Sequence, residues 1–146
     1  MRSLGSDKWE EGVLALLRVV AAFLFMQHGA QKLFGVLGGF RGEPGNTAEL
    51  LSRHGVAGTL EFFGGMLVLV GLFTRPVAFL LSGLMAFAYW MAHAPDGNWL
   101  FPFLNRGEPA VLFCFVFLYF AARGAGRYSL DWLLFGRKAE QAAGTS

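Results

Sequence analysis

Charge is scarce in this 146-residue chain: Asp, Glu, Lys and Arg together make up 15% of it, against about 25% in soluble proteins. There is one cysteine, Cys114. A single thiol excludes an intramolecular disulfide and a two-cysteine zinc or redox pair. Set in an apolar run, it reads as a small buried hydrophobe. Clustered basic residues are also missing, and the net charge is only +2, so nucleic acid is not an expected partner. No His-x-x-x-His or Glu-x-x-His spacing occurs, so no metal centre is expected. No haem, flavin or iron–sulfur signature is present either, which leaves no intrinsic cofactor.

What the chain does have is apolar. It is 55% hydrophobic and 16% aromatic, with a mean hydropathy of +0.48. A soluble domain of this size cannot hide so much apolar surface, so the bilayer takes over as solvent. The pattern predicts an all-α integral membrane four-helix bundle, one domain over residues 1–146, with a short C-terminal interfacial helix.

Residues 1–11 are polar, with Trp9 placed as an interfacial anchor. Span one covers about 12–34. It runs too long for a signal-peptide core and no small-x-small site follows, so it is expected to remain uncleaved. The glycines and Pro44 of 35–46 break regular structure, and Thr47 to Arg53 reads as a short surface helix capped by Thr47. Span two covers 56–73. Its Gly64 and Gly71 are seven apart and predict one close-packing face. A tight turn at Thr74-Arg75-Pro76 leads into span three, 76–94, which carries Ser82, Tyr89 and His93 on a polar-tending stripe. Residues 95–108 form a loop whose Trp99, Phe101 and Phe103 suit the headgroup region or a re-entrant dip; Pro95 and Pro102 argue against a regular helix there. Span four, 109–126, is short and relies on Arg123 snorkelling. Ser129 then caps an interfacial helix over 129–135, with Asp131 near its N-terminal dipole.

Four spans put both termini on one side of the membrane. That side collects Arg2, Lys8, Arg75, Arg123, Arg127, Arg137 and Lys138, and the other Lys32, Arg41, Arg53 and Arg106. The bias places both termini in the cytoplasm. At ~1.5 Å rise per residue, His28 then lies roughly 6–9 Å below the outer end of span one. Glu61 falls at a similar depth, His93 in the last turn of span three, and Glu108 at the start of span four. His28, Lys32, Glu61, His93 and Glu108 therefore predict a shared outer polar layer. Intramembrane ionisable groups are costly, which favours a small ligand-binding pocket with proton-exchanging side chains. The same set also reads as interhelical bonds that fix register, worth ~0.6–2 kcal/mol each. Arg18 sits nearer the cytoplasmic end and either reaches into the bundle or snorkels to water. Few polar residues continue through that half, so no permeation path is expected.

LLRVVAAFLFMQHGAQKLFG, then LEFFGGMLVLVGLFTRPVA, a third span ending in His93, Glu108 opening the fourth, and the closing GAGRYSLD together resemble the DoxX family of small four-span bacterial membrane proteins. The likeness covers roughly residues 12–135 and implies that Arg18, His28, Lys32, Glu61, Gly65, Gly71, His93, Glu108 and Asp131 match the family pattern. Members are named after a small subunit associated with archaeal thiosulfate:quinone oxidoreductase or terminal quinol oxidase complexes. Others are linked to oxidative-stress and thiol-redox systems. The resemblance thus implies an accessory or quinone/small-ligand-binding subunit of a membrane redox system in the bacterial inner membrane, with a diffusible quinone or a membrane or soluble redox protein as partner. Catalysis by the chain alone is not expected. The alternative is an assembly or interaction protein without ligand chemistry; the glycine-rich faces permit a homo-oligomer.

Overall fold

The computed structural model describes residues 4–136, and every regular element among them is helical. Arg2, Arg137, Lys138 and the polar tail lie outside the described residues.

Helix α1 (Leu4–Phe34) starts well before the expected boundary near residue 12. No proline interrupts the polar stretch, and Asp7 in the first turn suits the positive end of the helix dipole. At about 46 Å it exceeds a ~30 Å hydrocarbon core, so its first turns project beyond the apolar length. It stops at Gly35, whose φ of +65° is a left-handed cap. The chain then folds back through tight turns, and the Ala48 N–H donates to the Lys32 carbonyl at 2.7 Å. The helix expected over Thr47–Arg53 does not form. Ser52 rather than Thr47 is the cap: its hydroxyl accepts from the Gly55 N–H at 3.1 Å, and the helix begins beyond it.

That helix is α2 (Arg53–Thr59), which widens into a π-helical turn (Leu60–Gly64) and tightens again into α3 (Gly65–Val70). Gly71, at φ 70° and ψ 45°, ends it. Helix α4 (Thr74–Ala88) follows at once and widens in turn over Tyr89–His93. Helix α5 (Glu108–Arg123) is about 24 Å long, and a final π-helical turn occupies Trp132–Gly136. Helix α5 stops short of the expected 126, because Gly124 leaves the helical region at φ 86° and the chain turns back there, whereas the helical residues 130–136 stand close to the expected 129–135.

Helix α1 packs against α2 and α3, and α4 packs against α5. The antiparallel sense is direct: Lys32 meets Glu61 while Arg18 meets Val68, and along α4 and α5 Arg75 lies beside Gly124 while Tyr89 lies beside Gly107. The shared core holds Ala22, Phe25, Val68, Leu81, Phe117 and Phe120, with Phe25 edge-on to Phe117 at 4.7 Å between centroids.

The close approach of α1 and α2 comes from glycines other than the expected pair. A Cβ on Gly29 would stand 2.5 Å from the Phe62 nitrogen and 2.7 Å from the Gly58 carbonyl oxygen. Gly64 faces Leu81, and Gly71 is a turn rather than part of a packing face. Because the obstruction at Gly29 is backbone, Gly29→Ala must push the helices apart. It should cost about 2 kcal/mol, read as a lower midpoint on thermal unfolding in detergent; a wild-type midpoint would contradict this packing.

The outer faces are apolar. Leu16 of α1, Phe79 of α4 and Phe115 of α5 are each 64–69% exposed, and contiguous apolar surface of this kind marks a membrane or partner contact. Asp7–Phe34 and Thr74–His93 are long and apolar enough to cross a bilayer, with mean hydropathies of 1.7 and 1.3.

Candidate functional site

The ionisable residues fall into two polar layers at opposite ends of the helices. At the end bearing loops 35–52 and 97–107, Lys32 Nζ donates to both carboxylate oxygens of Glu61 at 2.5 Å. Glu61 is 3% exposed and sits in the π-helical turn. That turn widens the helix where α1 comes closest, and Gly58 lies under the Lys32 Cβ, so lysine and carboxylate meet without a spacer. The pair joins α1 to the α2–α3 helix.

His28, one turn earlier on α1, does not join the pair by a hydrogen bond. Its ring stands edge-on to Phe113 of α5 at 5.9 Å, and it is exposed on the apolar face. His93 belongs to a separate network. Its Nδ1 lies 3.0 Å from the Asn105 carbonyl, and its ring stacks on Tyr89. The Tyr89 hydroxyl donates to the Trp99 carbonyl at 2.5 Å and accepts from the Asn105 amide at 3.1 Å. Glu108 opens α5, exposed and without an ion pair among the described residues. Of the five residues expected in one outer layer, the structure thus joins Lys32 to Glu61, ties His93 to the 97–107 loop, and leaves His28 and Glu108 apart.

Asn105, 5% exposed, is the organiser that the sequence reading missed. Its side chain serves Tyr89, the Asn98 carbonyl and the Gly107 N–H together. The signal was its place two residues before a glycine in a proline-containing loop, where an Asn side chain replaces a backbone partner.

At the other end Arg18 does not snorkel. It is 2% exposed and donates to the Val68 and Leu69 carbonyls at 2.7 and 2.6 Å and to the Tyr128 carbonyl at 2.6 Å. Two of these carbonyls belong to the last turn of α3, the negative end of its dipole. Gly71 makes room, since a Cβ there would stand 2.8 Å from the guanidinium. Asp131 also departs from expectation. Its oxygens accept from the Phe73 and Thr74 N–H groups at 2.7 and 2.9 Å, so it caps α4 rather than its own segment. Ser129 does cap that segment, accepting from the Trp132 N–H at 3.2 Å. Glu11, unremarked in the sequence, accepts from Arg123 and from the Arg127 N–H at 2.6 and 2.7 Å.

The DoxX family model matches residues 13–94, the stretch that holds Arg18, His28, Lys32, Glu61 and His93. An uncharacterized protein of Haemophilus influenzae is 41% identical over 126 residues, covering 86% of this chain and 92% of that one. The chain belongs to the DoxX family. No solved structure matches it. Membrane character follows from the DoxX assignment together with the apolar outer surface. The polar residues beyond the matched stretch, Glu108 and Asp131, are the ones that this DoxX chain uses to open α5 and to cap α4. Among the described residues no three His, Cys, Asp or Glu side chains gather as a metal-binding group.

Proposed function

We propose that this DoxX protein is a four-span bacterial inner-membrane protein with cytoplasmic termini, acting as an accessory subunit of a membrane redox or oxidative-stress system. On this reading a quinone or similar lipid-soluble molecule docks against His28 from within the bilayer. The observation that carries it is the imidazole itself: exposed on an apolar face, beside Phe113, with no hydrogen bond to any described residue. A polar ring facing lipid costs free energy unless something there satisfies it, and a quinone carbonyl is an acceptor that reaches this depth. The aromatic loop 97–107 supports the four-span reading. Phe101, Leu104, Asn105 and Gly107 donate backbone hydrogen bonds within the loop, which lets irregular backbone lie at membrane depth.

The test is thermal unfolding of detergent-purified protein titrated with a short-chain ubiquinone analogue. Wild type should be stabilised in a concentration-dependent way and His28→Leu should respond at least about five-fold more weakly, the loss of roughly one hydrogen bond. An unresponsive wild type sinks the ligand reading. The second reading, an assembly or interaction protein, is favoured by the closed Lys32–Glu61 pair, whose polar capacity is used inside the chain. It expects stable protein partners in pull-downs and no quinone response.

A further inference from the structure

A groove of about 580 Å³ opens at the end of the molecule that carries Arg18, between the start of α4 and the segment after α5. Its walls bring Arg75, Arg123 and Arg127 together with two carboxylates, Glu11 and Asp131. Both carboxylates are committed. Asp131 accepts two backbone N–H groups of α4, and Glu11 accepts from Arg123 and from the Arg127 backbone. Arg75 is exposed and has no hydrogen bond or ion pair with any described residue. Gly124 leaves it room along the groove wall, because a Cβ there would stand 3.2 Å from the Arg75 Nε. Phe73, Trp132 and Phe135 supply the apolar side of the same groove, and Phe73 and Phe135 are 55% and 56% exposed.

An exposed guanidinium with no bond to a described residue, in a groove where three arginines outnumber two carboxylates and aromatics stand at the edge of an apolar surface, fits one kind of ligand: a phosphate whose attached chains lie along the hydrocarbon. We infer that this groove binds the headgroup of an anionic phospholipid, with Arg75 holding the phosphate and the aromatic wall meeting the glycerol and upper acyl chains. The inference rests on the membrane reading above and places the groove at the cytoplasmic leaflet.

The full chain, purified in detergent, is titrated with phosphatidylglycerol and with phosphatidylcholine, and bound lipid is counted by native mass spectrometry. Wild type should hold phosphatidylglycerol about five-fold more tightly, the worth of one basic residue at an anionic surface. Arg75→Gln should bring that ratio close to one. Arg75→Lys, which keeps the charge, should retain most of it, and Arg106→Gln at the opposite end should leave it unchanged. Equal binding of the two lipids by wild type overturns the inference, as does a full preference in Arg75→Gln. Displacement of phosphatidylglycerol by millimolar inorganic phosphate also overturns it, because the groove would then take a free anion. Carbonate washing of cell membranes separates the two readings. Protein released by the wash means that the membrane reading has failed; protein retained without lipid preference means that only the groove assignment has.

Discussion

Arg18→Leu is expected to lower the unfolding midpoint of the detergent-purified protein by roughly 10 °C, from a loss of about 3–5 kcal/mol. Two effects oppose each other here. Replacing a buried ion by a hydrophobe of similar length removes its desolvation penalty and is often neutral. That argument holds when the ion's partners leave with it, and here they stay. The Leu69 and Tyr128 carbonyls would lose a charged donor at 2.6 Å in a water-poor interior, each at about 1–3 kcal/mol. The Val68 carbonyl suffers less, because it also accepts from the Gly71 N–H at 3.0 Å. Arg18→Lys should fall between, since one ammonium cannot match a fork that spans two chain segments. An Arg18→Leu protein that melts with wild type would remove Arg18 from the account of stability.

Glu61→Gln should cost about 3 kcal/mol. Removing one partner of a buried pair leaves the other charge uncompensated, at up to ~3–5 kcal/mol, and the Lys32 side chain is still 20% accessible, which moderates the loss. A glutamine carbonyl can accept from the ammonium but carries no countercharge. The double change Lys32→Met with Glu61→Met should be milder than Glu61→Gln alone, because no lone ion remains. Thermal unfolding of the two variants beside wild type gives the ordering, and a single variant as stable as the double one would show that the pair is not coupled. The quinone response separates this role from ligand binding: if the pair is only an internal tie, Glu61→Gln lowers the midpoint of both the free and the quinone-treated protein by the same amount.

The broad plan was legible because membrane solvation leaves a coarse mark. Long apolar runs, the residues that end them and a shortage of charge are visible without partners, and the helices stand close to where these signals put them. The position of Lys32 opposite Glu61 could also be read, since antiparallel helices convert sequence distance into depth. Three things escaped. The π-helical turns at Leu60–Gly64 and Tyr89–His93 insert a residue into the helical repeat and leave no mark in composition, and Gly71 ends its helix in the left-handed region instead of sharing a packing face with Gly64. Cap assignments crossed between segments, as when Asp131 served α4, because a carboxylate near two helix starts fits either by composition. Arg18 had no readable partner at all, since backbone carbonyls carry no side-chain signature. The separation of His28 and His93 from the Lys32–Glu61 pair was hidden for a related reason: depth can be counted along a chain, but the bearing of a side chain around the bundle depends on packing.

The bond from Arg18 to Tyr128 spans 110 positions, and that distance has a meaning in time. A ribosome adding roughly 5–20 residues per second finishes Tyr128 some 5–20 s after Arg18. Throughout that interval a cation in the first helix lacks one of its three acceptors, and the ends of α3 and α4 lack the segment that ties them. The first helix is therefore closed by a segment made long after it, and until Tyr128 arrives the chain carries an under-coordinated guanidinium in the apolar part of α1.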